Sequence, residues 1–375
     1  MTRKLRSALD PRAAALSASL RYSAADEPGI ARKRRGRGFA YVGHDGRSIA
    51  DPKVLGRIRS LVIPPAWRDV WICADADGHL QAVGRDARGR KQYRYHPRWR
   101  GVRDAGKYFR LAEFCRALPR LRKQVEIDLS CNCLCKEKVV ALVVSLLERT
   151  QLRVGNDEYA RTNDSYGATT LRDRHARVRG GAVELRFKGK GGKPFRVALN
   201  DRRMATMVRR CRELPGQRLF QYLDDSGRPA PVTSTDVNDY VREVTGGPFT
   251  AKDFRTWAAT MACATLLASQ RAGTSQAARK REVKLIVEAV AEQLGNTPTV
   301  CRNSYIHPAV IEGYMEDRLP PGLARKVRGL RRTLGDGAAK KGAAVGPPPT
   351  GSSFLAQVER AVLSYLEQAA ERRAA

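Results

Sequence analysis

Residues 182–199 read AVELRFKGKGGKPFRVAL. Apolar and polar residues alternate on both sides of Lys188-Gly-Lys-Gly-Gly-Lys193. Val183, Leu185 and Phe187 therefore share one face of a strand, and Phe195, Val197 and Leu199 one face of its partner. The spacing predicts an antiparallel hairpin with a long, Lys-rich tip. The flanking sequence is helical. Upstream, Val139, Val140, Leu142, Val143, Leu146 and Leu147 form an apolar stripe wide enough for a buried helix. Downstream, Asp253–Ser269 and Val283–Leu294 carry helical spacing. Gly295 stands where a helix C′ glycine belongs. Thr297-Pro298 reads as an N-cap with proline at the first helical position, opening a short helix toward Tyr305. A hairpin set among helices predicts a mainly α domain with a small β-sheet.

Farther out the pattern changes. Residues 38–95 read as mostly β. Trp71-Ile-Cys and His79-Leu-Gln-Ala-Val lie between the turn signals Asp45-Gly46, Asp77-Gly78 and Arg88-Gly89. Pro64-Pro65 ends a helical stretch at Val54–Val62. The pattern becomes helical from about residue 107. The first 35 residues read as a basic lead-in running into Arg32-Lys-Arg-Arg-Gly-Arg37, a charge run of the kind that forms a solvated face. Residues 335–352 are a Gly/Ala/Pro linker. Phe354, Leu355, Val358, Val362, Tyr365 and Leu366 then recur at helical spacing. The expected class is α+β, in five parts: a lead-in at 1–19, a small, mainly antiparallel β domain at 20–104, a larger, mainly α domain at 105–318, a basic and Gly/Pro-rich linker at 319–352, and an amphipathic helix at 353–375. The linker and the absence of a chemical motif after Tyr305 predict that the tail is dispensable for chemistry.

The 375 residues include 70 Lys plus Arg against 38 Asp plus Glu, a formal net charge of +32. Hydrophobic residues make up 42%, enough for a folded core and too many for a disordered polycation. An excess of this size repels itself in a compact fold, so the expected partner is a polyanion, nucleic acid first and an anionic membrane second. A membrane fits less well, because the longest apolar run, Trp257–Ala268, is too short to span a bilayer. The start, MTRKLRSALDPRAAALSASLRYS, lacks the apolar core of a signal peptide. Eight Cys in a chain of this length are no disulfide framework. The expected location is cytoplasmic and nucleoid-associated.

Several chemical motifs fail on spacing. Cys131-Asn-Cys-Leu-Cys135 is C-x-C-x-C, without the C-x₂-C pairs of a tetrahedral zinc site. Asp75-Ala-Asp77-Gly78 lacks the later ligands of a calcium loop and reads as a hairpin turn. Gly189-Lys190 does not complete a phosphate-binding P-loop. Five scattered His residues contain no HExxH. No metal or nucleotide cofactor is expected.

What remains is an ordered series. It runs through Gly84-Arg-Asp-Ala-Arg-Gly-Arg-Lys-Gln92-Tyr93-Arg-Tyr95, Leu152-Arg153-Val-Gly155-Asn-Asp-Glu-Tyr159 and Phe187-Lys-Gly-Lys190. It continues through Lys252-Asp-Phe-Arg255-Thr-Trp to Leu294-Gly-Asn296-Thr-Pro298…Ser304-Tyr305. The series resembles the type IB DNA topoisomerases, in particular their compact poxvirus-like bacterial branch, over roughly residues 20–318. Each motif alone is weak; five in this order are specific.

The resemblance implies a role for each residue. Tyr305 matches the nucleophile, whose phenol forms a phosphotyrosyl bond. That bond conserves the energy of the broken phosphodiester, so neither ATP nor metal is needed. Arg153 and Arg255 match the donors for the phosphorane-like transition state, a task suited to a planar, always-charged fork. Lys190 matches the general acid for the leaving 5′-oxygen, and Lys252 the residue that assists this proton transfer. Asn296 stands where many members carry His; it donates to a phosphate oxygen without carrying charge. Arg85, Arg90, Gln92, Tyr93 and Tyr95 match a DNA-clamping strand. The implied activity is relaxation of positive and negative supercoils through a 3′-phosphotyrosyl intermediate with 5′-hydroxyl religation. The implied form is a monomer clamped around duplex DNA. Two other readings compete. A tyrosine recombinase typically carries His-x-x-Arg, and this chain has Lys252-x-x-Arg255. A non-enzymatic nucleoid-coating protein explains the charge but leaves Tyr305 idle.

Overall fold

The structure is a computed structural model that describes residues 10–320 apart from 88, 271, 272 and 274, together with 322, 323, 325 and 353–374. The expected lead-in at 1–9 and most of the expected linker, 326–352, lie outside the described residues. The chain divides into two compact units, Met1–Arg110 and Leu111–Ala375.

The first unit begins with a helix α1 (Pro11–Ser17), capped by the Asp10 carboxylate on Arg12 N–H. Five strands follow: β1 (Gly29–Arg35), β2 (Gly38–Val42), β3 (Arg68–Cys73), β4 (Leu80–Arg85) and β5 (Lys91–Tyr95), with helix α2 (Pro52–Ser60) between β2 and β3. They form one antiparallel sheet in the order β2-β1-β3-β4-β5. Ile30, Ile58, Val70, Ile72 and Ala82 make its core.

Two parts of the expected lead-in are structure. Ala15 of α1 and Leu20 pack with Trp99. The run ending at Arg35 is strand β1, paired on both sides. Its charges hide the strand from a periodicity reading. Lys33, Arg34 and Arg35 are exposed, while Ile30 is buried and Arg32 partly so. Arg32 donates to the carbonyls of Ile63, Pro64 and Trp67 at 3.3, 3.1 and 2.8 Å, and lies over the Phe39 ring at 4.1 Å. A satisfied guanidinium can thus occupy a position that an apolar residue would otherwise mark.

Helix α3 (Pro97–Ser130) starts about ten residues before the expected 107, directly after β5. Then come α4 (Lys136–Thr150), α5 (Asp157–Asn163), the strands β6 (Ala176–Arg179), β7 (Ala182–Lys188) and β8 (Pro194–Asn200), and α6 (Arg202–Arg212). A short ribbon of β9 (Gln221–Leu223) and β10 (Pro229–Pro231) precedes α7 (Ser234–Thr245), α8 (Ala251–Ala268), α9 (Gln276–Leu294), α10 (Pro298–Ser304), α11 (Pro308–Met315) and α12 (Ser353–Ala374). In α4 every residue from Lys138 to Leu147 except Ser145 is buried, as the wide apolar stripe predicts. The hairpin pairs Val183 with Leu199, Leu185 with Val197 and Phe187 with Phe195, the expected register. The α+β class of the sequence reading is the class of the fold: an antiparallel β unit, then a mainly helical unit with a small sheet.

The tail differs from its expected separateness. Val358, Val362, Tyr365 and Leu366 of α12 are buried, and α12 lies against α8 and α11. An amphipathic helix must bury its stripe somewhere, and this one returns to the second unit. No helix among the described residues is long and apolar enough to cross a membrane.

Candidate active site

The site forms where three helix ends meet the middle of α8. Helix α4 ends at Gln151, which takes a left-handed conformation, φ 57°. Buried Leu152 then anchors the chain, and Arg153 turns inward. The backbone of Arg153 and Val154 is held from beside: Ala168 N–H donates to Arg153 C=O at 2.8 Å and Thr169 N–H to Val154 C=O at 2.7 Å. Gly167 allows this approach. A Cβ there would stand 2.5 Å from the Arg153 carbonyl oxygen and 2.6 Å from Gly155 Cα.

The second end is that of α9. Gly295 caps it with φ 62°, and Asn296 N–H returns to Ala291 C=O at 2.9 Å, as the C′ reading anticipates. Asn296 thereby meets Arg153, whose Nη2 donates to Asn296 Oδ1. A guanidinium offers only donors, so it selects the carbonyl side of the amide and leaves the NH₂ free. Thr297 caps α10, accepting from Val300 N–H at 3.3 Å.

The third end is that of α10, where Tyr305 is the C-cap residue. Its N–H donates to Cys301 C=O at 2.9 Å, and its carbonyl accepts from Thr260 Oγ1 at 3.2 Å. Fully buried Ile306 and Cys301 flank it. The backbone is fixed and the ring is half-buried.

Arg255, on α8, ties these ends together. It is 3% exposed. Its Nη1 donates to Gln151 C=O and its Nη2 to Leu294 C=O at 2.8 Å. Its guanidinium carbon lies 5.4 Å from the centroid of the Tyr305 ring. One residue thus satisfies carbonyls at the C-termini of α4 and α9, where a cation is favoured.

The centre is cationic. Burial, and next the charge of Arg153, push Arg255 down to about 10; burial likewise lowers Arg153. Among the described residues neither arginine pairs with a carboxylate. Two buried donors, Arg255 Nε and Asn296 Nδ2, have no hydrogen-bond partner there. Buried charge and unpaired donors are costly in an empty site, and a phosphate diester supplies both the negative charge and the acceptor oxygens. The site is chemically fitted to an anion beside a phenol.

The two lysines stand apart from this network. Lys190 is exposed at the tip of the β7–β8 hairpin, beside Gly191 and Gly192, both with φ 76°. Lys252 is exposed in the first turn of α8. Neither makes a hydrogen bond or ion pair through its ammonium among the described residues. The next residue, Asp253, takes the capping role: its carboxylate accepts from Thr250 N–H at 2.8 Å and Thr250 Oγ1 at 3.0 Å.

In the first unit, Arg85 ends β4, Gln92, Tyr93 and Tyr95 lie on β5, and Arg90 stands in the turn between the two strands. Asp86 organises them, accepting from Arg90 Nε at 2.8 Å and Gln92 Nε2 at 3.0 Å. Arg85 donates to Gly89 C=O at 3.0 Å. Tyr93 and Tyr95 stack with ring centroids 6.1 Å apart, and Tyr93 is 46% exposed. The pleat places Gln92 on the opposite face from both tyrosines, so the five residues do not form one row.

Sequence reading missed two contributors. Thr260, inside the apolar run Trp257–Ala268, is fully buried and bonds the segment that carries Tyr305. Glu359 of α12 accepts from the indole of Trp257 at 3.2 Å. Neither carries a local motif, and both are defined by a partner more than 40 positions away.

Comparison with known proteins covers most of the chain. The family model described as the eukaryotic DNA topoisomerase I catalytic core matches residues 96–319. That of the bacterial DNA topoisomerase IB N-terminal domain matches residues 38–86. A protein named DNA topoisomerase 1B, from Acanthamoeba polyphaga mimivirus, is 33% identical over 296 residues, covering 77% of this chain and 88% of that protein. Among solved structures, the XerH site-specific recombinase bound to its difH substrate before cleavage matches with a TM-score of 0.31 and 18% identity. That match spans 50% of this chain and 49% of the other. Its post-cleavage complex on palindromic difH gives the same score and identity over 50% and 47%.

Proposed function

The chain belongs to the type IB DNA topoisomerase family, and on that premise we propose that it relaxes positive and negative supercoils by transient cleavage of one DNA strand through Tyr305. The observation that carries this reading is the placing of buried Arg255 and half-buried Arg153, neither with a carboxylate partner among the described residues, with the phenol beside Arg255. Tyr305 Oη gives up its proton to solvent and attacks the scissile phosphorus, forming the P–O(Tyr) bond as the P–O5′ bond breaks. Arg153, Arg255 and Asn296 donate to the non-bridging oxygens as charge builds there. Lys190 gives its proton to the departing 5′-oxygen, assisted by Lys252. The duplex rotates about the intact strand, and the 5′-hydroxyl attacks the phosphotyrosine to reverse the step. Bond energy is kept in the intermediate, so no ATP is consumed, and the arginines supply the electrophilic role that a metal plays in other phosphoryl-transfer sites.

The +32 charge supports a duplex DNA substrate, and the Tyr93–Tyr95 face and Arg85–Arg90 segment supply contacts in the first unit. In this reading the protein acts as a monomer on nucleoid DNA in the cytoplasm. The test is incubation with positively and negatively supercoiled plasmid in EDTA without ATP. Relaxation of both is expected. Gel retardation without relaxation, or recombinant products without relaxed topoisomers, would overturn the proposal.

A further inference from the structure

The centre of interest is a buried carboxylate in the last helix that the chemistry above does not use. Glu359 of α12 is 7% exposed. Its two oxygens accept a bidentate pair from Arg122 Nη1 and Nη2, both at 2.8 Å. One of them also accepts from Trp257 Nε1 at 3.2 Å. Arg122 extends the network through Nε to Glu148 at 2.7 Å. Trp257 sits two residues after Arg255 on α8, and Glu148 in the last turn of α4, whose end leads into Arg153. One turn and a half farther along α12, Tyr365 Oη donates to Ala309 C=O at 2.8 Å, in the first turn of α11, four residues past Tyr305. The Tyr365 ring lies against Gly313; a Cβ there would stand 1.7 Å from Tyr365 Oη, so this face of α11 admits only glycine.

Helix α12 therefore reaches α8, which carries Arg255, through Trp257; α11, which begins three residues after Tyr305, through Ala309; and, by way of Arg122 on α3, α4, whose end leads into Arg153. We infer that Glu359 and Tyr365 are positioning residues, and that α12 clips the catalytic arginines and the nucleophile into register; this rests on the topoisomerase reading of the site. A buried ion-pair network adds little net stability over apolar packing, but its directional bonds set the rotation of the helices that it joins. Side-chain tips lie about 5–6 Å from a helix axis. A rotation of α8 by about 10° would move such a tip by roughly 1 Å, a misplacement that costs on the order of 10² in rate. On this inference the tail takes part in the chemistry by positioning, against the expectation that it is dispensable. Distance along the chain does not measure distance from the site.

The test uses the full chain with Glu359→Gln, which breaks the bidentate geometry, and Tyr365→Phe, which removes one oxygen and keeps the packing. Glu367→Gln, also on α12, is the control; it cuts an ion pair to Arg116 of α3, which among the described residues bonds to no residue of α4, α8 or α11. Single-turnover cleavage and religation are measured at saturating DNA, with duplex affinity and melting temperature alongside. Cleavage and religation should both slow, about 10- to 100-fold for Glu359→Gln and about 3- to 10-fold for Tyr365→Phe. DNA affinity should stay within about twofold, and the control should match the parent. A substrate with a 5′-bridging sulfur should not restore the rate, because alignment and not leaving-group protonation is lost.

Parent-like cleavage in both variants overturns the inference, whatever happens to their melting temperatures. So does rescue by the bridging sulfur. If Glu359→Gln does not fold, Tyr365→Phe alone decides. Failure of the parent chain itself to form an adduct defeats the proposed function instead, and is thereby distinguished.

Discussion

The hydroxyl of Thr260 bridges the segment that carries Tyr305, donating to the carbonyl of Tyr305 at 3.2 Å while its oxygen accepts from His307 N–H at 3.1 Å. Thr260 lies on the helix of Arg255, so one side chain fixes the backbone on which the phenol is mounted relative to the arginine that faces its ring. Thr260→Val keeps the shape and removes both hydrogen bonds to the Tyr305–His307 segment. It should destabilise the fold by about 1–3 kcal/mol. At saturating DNA it should also slow cleavage by the folded protein. Denaturant unfolding and single-turnover kinetics check the two effects; an unchanged cleavage rate would show that the bridge has no part in alignment.

Arg255→Lys should not be conservative. A lysine ammonium cannot satisfy Gln151 and Leu294 carbonyls in two directions and still present an Nε–H to phosphate. Cleavage should fall by on the order of 10²–10³, the scale of losing one transition-state donor. Duplex binding should change little, because many other cations carry it. A rate within about threefold of the parent would remove Arg255 from the transition state.

Lys190→Ala should slow cleavage by about 10²–10⁴, the scale of lost general acid catalysis, and leave binding nearly intact. A 5′-bridging phosphorothiolate has a leaving sulfur that hardly needs a proton, so it should restore much of the rate. Absence of rescue would make Lys190 a phosphate contact. Since Lys190 is exposed and its ammonium has no partner among the described residues, its removal should leave the melting temperature unchanged.

Tyr305→Phe should retain duplex binding and lose all covalent adduct. One oxygen leaves with little apolar area, and the backbone bonds of the residue remain. Denaturant trapping on end-labelled DNA, followed by digestion to a tyrosine–nucleotide conjugate, should place the parent adduct on the 3′ phosphate. An adduct on Tyr314 would refute the assignment. That residue is committed elsewhere, donating its hydroxyl to Glu282 at 2.5 Å, and burial and that bond push it up to about 12.

DNA affinity should fall steeply with salt. A protein touching on the order of 6–10 phosphates loses about 10³–10⁵ in binding between 50 and 200 mM salt. Titration at several salt concentrations gives the slope; a flat response would exclude a contact dominated by phosphates.

Much of the fold was legible because its signals are local. The β7–β8 register follows from alternation, the α4 helix from its apolar stripe, and the Gly295 and Thr297-Pro298 junction from capping chemistry. Strand β1 was not legible, because Arg32 occupies an inward position through three carbonyl bonds that are contributed by residues 63–67. The candidate nucleophile and its cationic companions could be named from five ordered motifs, each short and contiguous.

Sequence by itself, through its resemblance to a family, named the side chains proposed for the chemistry: a phenol, two arginines, an amide and two lysines, in a chain charged to meet a polyanion. Tertiary structure alone decided how four of them converge. Arg255 joins the ends of α4 and α9, Arg153 sets the orientation of the Asn296 amide, Thr260 holds the Tyr305 backbone, and Glu359 reaches Trp257 from 102 positions away. The physical reason is that a cap or a strand alternation is written within a few residues. A buried hydrogen bond between distant segments depends on which surfaces pack together, and no local spacing encodes that choice.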